Sequence, residues 1–127
     1  MTPTHKHHNQ AFLDLVIDAK SRIREVGIEE LRSMLPSAGQ FLLIDTREES
    51  EWAAGHAAGA VQMGKGIIER DIETLAPDKS QPMVLYCGGG FRSALAADAL
   101  QKMGYTSVAS LAGGWRDYLA AGLPVER

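Results

Sequence analysis

A single cysteine, Cys87, stands in a chain of 127 residues. That excludes an intramolecular disulfide and every zinc site built on paired cysteines. Aromatic residues are scarce at 6%, so a core has to come from Leu, Ile, Val, Ala and Met. Positive charge is not in excess, with 13 Lys and Arg against 16 Asp and Glu. No basic stripe is left for a phosphate backbone, so nucleic acid is not expected as a partner. No apolar run approaches the length of a bilayer span. The start, Met1 to Gln10, is polar and lacks the apolar centre of a signal peptide. No membrane contact is expected, and a cytoplasmic location follows by default. A G-x-x-x-x-G-K-[ST] phosphate loop and a metal-ligand cluster are also missing, so neither cofactor nor metal is expected.

The apolar residues that are present, 45% of the chain, fall into short runs. Residues 1–8 read as a disordered polar tail, whose Thr4-His5-Lys6-His7-His8 run could hold a metal only adventitiously. Phe12, Leu13, Val16, Ile17 and Ile23 recur near helical spacing, which predicts an amphipathic N-terminal helix over 9–25. Its apolar face needs cover, from the domain surface or from a second subunit in a homodimer. From Val26 onward, to 127, the pattern predicts one α/β domain. Phe41–Ile44 and Met83–Tyr86 are continuous apolar runs of the buried parallel type. Ala60–Met63 and Ser107–Leu111 are shorter strands. Helices are predicted over Ile28–Leu35, Arg47–Ala54, Ile67–Leu75, Ser93–Met103 and Trp115–Ala121, each stopped near Gly or Pro. Such alternation implies three layers, a mainly parallel sheet with helices on both faces. In these sheets, sites form beyond the carboxyl ends of the strands.

Cys87 follows the Met83–Tyr86 run directly, and Gly88-Gly89-Gly90-Phe91-Arg92-Ser93 leads into the longest of the later helices. Strand, glycine loop and helix together build an anion cradle. Glycines allow successive N–H groups to turn inward, and the positive end of the helix faces the same spot. A sulfur held there should ionise readily. Ser93 is placed as the N-cap of the helix, and the loop is expected to face solvent. The bland alternative is a tight turn with Cys87 buried and inert.

The segment Cys87-Gly88-Gly89-Gly90-Phe91-Arg92-Ser93 resembles the C-x-x-G-x-R-S active loop of the rhodanese family. Asp45-Thr46-Arg47-Glu48 is similar to that family's D-x-R-E. Glu51-Trp52 with Gly55-His56 is similar to its E-[aromatic]-x-x-G-H, and Gly113-Gly114-Trp115 to its closing G-G-[apolar]. Gly59-Ala60 matches the next small-residue turn. The motifs keep the family's order from about Val26 to Pro124.

The resemblance implies a rhodanese-like fold and sulfurtransferase activity. Cys87 would take a sulfane sulfur from a small donor, such as thiosulfate or a persulfide, and pass it to a thiol or cyanide. The N–H groups of Gly88, Gly89, Gly90, Phe91 and Ser93 would hold the anion, with Arg92 as a fixed cation or as one partner of a structural ion pair. Asp45 is read as a cap or ion-pair partner. Arg47 and Glu51, four apart on a predicted helix, pair with each other or with the frame. His56 is read as a turn residue, and Trp52 and Trp115 as core or lining. Three rivals stay open: a Cys-based phosphatase, an arsenate reductase, and a sulfur-relay or regulatory binding module without independent turnover. Phosphatases of this design carry one more residue than the four, Gly88 to Phe91, that separate Cys87 from Arg92. Arsenate reductases use additional cysteines.

Overall fold

The computed structural model describes residues 8–127. The tail predicted over 1–8 lies outside these residues apart from His8, as does most of the histidine run. Helix α1 spans Gln10–Lys20, strand β1 Arg24–Val26 and helix α2 Ile28–Met34, which runs on into a 3₁₀ segment, Leu35–Gln40. Then come β2 (Leu42–Asp45), α3 (Glu49–Ala54), β3 (His56–Ala57), β4 (Val61–Gln62) and α4 (Ile67–Leu75). The chain closes with β5 (Met83–Tyr86), α5 (Phe91–Lys102), β6 (Val108–Leu111), α6 (Gly114–Ala120) and β7 (Val125–Glu126). Among the described residues no helix is long and apolar enough to cross a membrane.

The main sheet is parallel throughout, in the order β1-β6-β5-β2-β4. Alternate side chains of its strands point to opposite faces, and each face has its own core. Leu43, Val84, Tyr86, Ala109 and Leu111 meet Leu31 of α2 and Tyr118 of α6. Ile44, Met83, Leu85 and Val108 meet Ile68 and Ile72 of α4 and Ala96, Ala97 and Leu100 of α5. The predicted three layers are therefore present. The apolar run Met83–Tyr86 is the central strand, with all four residues buried. Its register pairs Asp45 with Tyr86 and Leu85 with Ser110. The carboxyl ends of β2, β5 and β6 thus finish side by side, and Cys87 emerges between its neighbours.

Four features depart most from the sequence reading. The N-terminal helix stops at Lys20, and Arg24–Val26 joins the main sheet as an edge strand beside β6. Only Val26 of that strand is buried, so its single inward residue could not announce a strand. Helix α3 starts at Glu49, because Glu48 is its N-cap and Glu51 accepts the Glu48 N–H at 3.0 Å. Arg47 and Glu51 therefore do not share a helix and do not pair. Helix α5 starts at Phe91 with Gly90 at the N-cap, so Ser93 is inside the first turn and is not the cap. Finally, β3 and β7 form a small antiparallel sheet, pairing His56 with Glu126 and Ala57 with Val125. Two-residue strands leave no periodic signal.

Helix α1 lies against α5, burying Val16 and Ala19. Arg22 locks the contact with two hydrogen bonds to Asp98, at 3.0 and 2.8 Å. Leu15 and Ile17 remain 60% and 65% exposed, so the domain covers only part of the apolar face. Two variants read this difference. Leu100→Ala opens a cavity beneath α5 and should lower the free energy of unfolding by about 2–5 kcal/mol in urea titrations. Ile17→Ser should change it by less than about 0.5 kcal/mol. A cost for Ile17→Ser as large as for Leu100→Ala would mean that a second subunit covers this face.

Candidate active site

Cys87 leaves the end of the most buried strand, and its side chain turns back under the loop that follows. Its Sγ accepts hydrogen bonds from the N–H of Gly90 at 3.2 Å, the N–H of Ser93 at 3.4 Å and the hydroxyl of Ser93 at 3.5 Å. Ser93 is the third residue of α5, so its N–H is one of the helix's four free donors. The sulfur thus takes the place that a capping side chain would occupy, on the positive end of the helix dipole. Burial by itself pushes the thiol up. The Ser93 hydroxyl and the N–H groups of Ser93, Gly90 and Gly89 outweigh it and hold Cys87 below the ordinary thiol range.

The sulfur is not on an open loop as the sequence suggested: Cys87 is 1% exposed. The cause is the turn 112–116, which lies directly on the loop. The N–H of Trp115 donates to the Cys87 carbonyl at 2.7 Å, and that of Arg116 to the Gly88 carbonyl at 3.3 Å. Two glycines permit this approach. A Cβ on Gly90 would strike the Ala112 carbonyl, and one on Gly114 would strike the Cys87 carbonyl. Both also have positive φ, +94° and +56°. Gly88 and Gly89 do not adopt that conformation.

Asp45 and Arg47 stand behind the loop as a buried pair, with Arg47 Nη2 at 2.8 Å and Nε at 3.0 Å from the carboxylate. The Tyr86 hydroxyl donates to Asp45 at 2.8 Å and accepts from the Ala57 N–H at 3.0 Å. Arg47 also donates to the Gly55 carbonyl at 2.7 Å and lies 4.6 Å from the centre of the Trp115 ring. This network joins β2, β5, β3 and α6 without touching the sulfur. His56 is buried, stacked on Trp52 at 3.4 Å, with Nδ1 3.0 Å from the Trp52 carbonyl. Its setting is architectural.

Arg92 is held by Glu51 across α3 and α5, with its Nη1 at 3.2 Å. Its guanidinium lies over Gly88, where an added Cβ would touch it at 3.5 Å. Arg92 also forms one wall of a pocket of about 380 Å³ whose other lining includes Thr46, Glu48, Ser50, Gln62 and Lys65. Cys87 is not on that wall. Phe91 points the other way, where His8 meets its ring edge-on at 4.9 Å and the Lys20 ammonium sits 5.1 Å from its centre. The N-terminal segment therefore touches the start of α5, next to the loop that follows Cys87.

Of the loop residues named from sequence, Gly90 and Ser93 donate to the sulfur, whereas Phe91 points away from it and Arg92 pairs with Glu51. Asp45 and Arg47 join each other instead. The sequence reading missed Ser110, whose hydroxyl lies 2.8 Å from that of Ser93 beneath the sulfur. The available signal was a lone serine inside the apolar run Val108–Leu111. It also missed Tyr86 as a polar anchor, since a tyrosine ending an apolar strand reads as core.

A model of the rhodanese-like domain matches residues 27–121. The chain belongs to this family. Several curated relatives carry sulfur-transfer names. A sulfurtransferase from Allochromatium vinosum is 31% identical over 103 residues, 81% of this chain and 94% of that protein. The thiosulfate sulfurtransferase PspE of Escherichia coli is 35% identical over 74 residues, 58% of this chain and 70% of that protein. Among solved structures, a Rhodopseudomonas palustris protein of unknown function, described as a "Possible Tyrosine Phosphatase", superposes with a TM-score of 0.85 at 27% identity, covering 96% of this chain and 98% of that one. The chain spans only 22% of one Mycobacterium tuberculosis relative and 52% of one from Bacillus subtilis. Family membership and these relatives place the chain in a family that includes sulfur-transfer proteins.

The donors around Sγ set the first test of the site. The rate of Cys87 alkylation against pH should have its midpoint below the value of about 8.5 of a free thiol. The unfolded chain keeps that free value, so between the two midpoints it holds more protons than the folded one. Folding stability should therefore rise with pH across this window, and Cys87→Ser should lose that rise. An alkylation midpoint at or above the free-thiol value would mean that burial wins over the hydrogen bonds.

Proposed function

We propose that Cys87 carries sulfur as a persulfide between a sulfane-sulfur donor and a nucleophilic acceptor. The convergence of two N–H groups and one hydroxyl on a single buried sulfur is the observation that supports it most. A thiolate there is stabilised before reaction, and the same donors can meet the terminal sulfur that replaces it as the anion. With thiosulfate, the Cys87 thiolate attacks the outer sulfur, the S–S bond to the sulfonate breaks and sulfite leaves. The enzyme keeps Cys–S–S⁻. Cyanide or a thiolate then attacks the outer sulfur, leaves with it, and returns the Cys87 thiolate. No metal, oxidant or cofactor enters either step.

Thiosulfate is the donor in the printed name of the Escherichia coli relative. In this chain the loop's three glycines add no cation ahead of Arg92, and Arg92 is already paired. A persulfide of a small thiol, or a protein partner in a sulfur relay, is an equally natural donor for such a loop. A cytoplasmic setting belongs to the same reading. A Cys-based phosphatase is the second reading, favoured by the description of the Rhodopseudomonas palustris structure. The four-residue spacing from Cys87 to Arg92 speaks against it, because the donors close on one sulfur atom and leave no cradle for a tetrahedral phosphate.

Intact-mass measurement after exposure to thiosulfate or to a small-thiol persulfide should show a gain of one sulfur. Cyanide or a thiol should remove it, and Cys87→Ser should never acquire it. Hydrolysis of an aryl phosphate should be negligible. A parent protein that gains no sulfur from any donor and hydrolyses the aryl phosphate would overturn the reading.

A further inference from the structure

Beneath Cys87 lie two serine hydroxyls that no water reaches. Ser93 of α5 and Ser110 of β6 are both 0% exposed, and their Oγ atoms are 2.8 Å apart. Ser93 Oγ is in turn 3.5 Å from Cys87 Sγ. Among the described residues, Ser93 is the one hydrogen-bond partner that Ser110 Oγ meets. Counting protons along this row decides its direction. A thiolate can only accept. If Ser110 donates to Ser93 and Ser93 donates to Sγ, both hydroxyl protons and the anion are matched. If Ser93 instead donates to Ser110, the Ser110 proton has no acceptor in a buried site and the sulfur loses a donor. With a neutral thiol one buried proton is unmatched in either direction, that of the thiol or that of Ser110. An unmatched buried donor is costly, whereas a row of aligned donors strengthens its last member.

From this arrangement we propose that Ser110 is a positioning residue that turns the Ser93 hydroxyl toward Cys87 Sγ and so favours the anionic sulfur from beneath. The strand that carries Ser110 is fixed by its register with β5, which sets Ser110 beside Leu85. The control is therefore exerted from the sheet and not from the loop. Arg92, which also interacts with the Cys87 sulfur, and its partner Glu51 are the charged groups that act from α5 and α3, and neither bonds to Ser110. The inference deepens the sulfur-transfer reading, and for the acceleration of persulfide formation it rests on that reading. Its statement about the sulfur anion does not.

Alkylation of Cys87 against pH, with a neutral reagent, tests it directly. Ser110→Ala should raise the midpoint by about half a pH unit to one unit, the size of one lost hydrogen bond between neutral groups. Ser110→Thr keeps a hydroxyl and should hold the midpoint near the parental value. Ser110→Val has the same shape without the hydroxyl and should shift it as Ala does. Because Ser110 acts through Ser93, adding Ser110→Ala to Ser93→Ala should move the midpoint no further than Ser93→Ala alone. An unchanged midpoint in Ser110→Ala, equal shifts in the Thr and Val variants, or additive shifts in the double variant would each overturn the proposal. These readings concern ionisation alone, so they hold whether or not the parent protein takes up sulfur.

Discussion

Everything at this site depends on two stretches of backbone lying in direct contact. The loop that begins at Cys87 and the turn 112–116 approach until carbonyls sit where side chains would be. The Trp115 N–H closes the contact on the Cys87 carbonyl at 2.7 Å. The main chain of Cys87 is thereby fixed. Its Sγ can then take the place of a cap on α5, where the donors are already directed. The two stretches meet because β5 and β6 are neighbours in register, so the loop after one and the turn after the other leave the sheet at the same level. Gly90 and Gly114 are the positions at which any side chain would force the two stretches apart.

The charged pair behind the loop has a different task. Asp45 and Arg47 are 0% and 4% exposed, and burying two ions is costly even when they face each other. Besides binding each other, they reach different elements: Asp45 accepts from Tyr86 at the end of β5, Arg47 donates to the Gly55 carbonyl before β3, and its guanidinium lies over the Trp115 ring on α6. The pair therefore fixes the relative placement of the strand ends on which the cradle stands. Arg92 and Glu51 repeat this on the exposed side, where a partly solvated pair contributes little to stability but keeps the guanidinium beside the loop and at the pocket wall.

The sequence was most legible where physical demands were local. The apolar runs at Phe41–Ile44 and Met83–Tyr86, and the helical spacing of Ile67–Leu75, identify their elements because burial leaves a trace in the sequence itself. The triple glycine after Cys87 likewise marks an anion cradle from chemistry alone. Demands met by distant segments left no such trace. Ser93 looks like a helix cap because Ser is a good one, yet the sulfur itself takes that place and the helix begins two residues earlier. Arg47 has the spacing of a helical partner for Glu51, but a buried carboxylate two residues before it was the stronger attraction. Ser110 and the edge strand Arg24–Val26 depend on which strands lie side by side, and no single stretch of sequence states that.

The central claim is that the cradle holds an anionic sulfur on Cys87 without rearranging. A crystal structure of the protein loaded with sulfur by a donor, determined beside the untreated protein, tests it most directly. The account predicts one additional atom bonded to Cys87 Sγ and met by N–H groups of residues 88–93. It also predicts that the Trp115 N–H stays on the Cys87 carbonyl. An unmodified Cys87 in protein that carries the extra sulfur elsewhere, or a loop that must leave the 112–116 turn to accommodate it, would contradict the account.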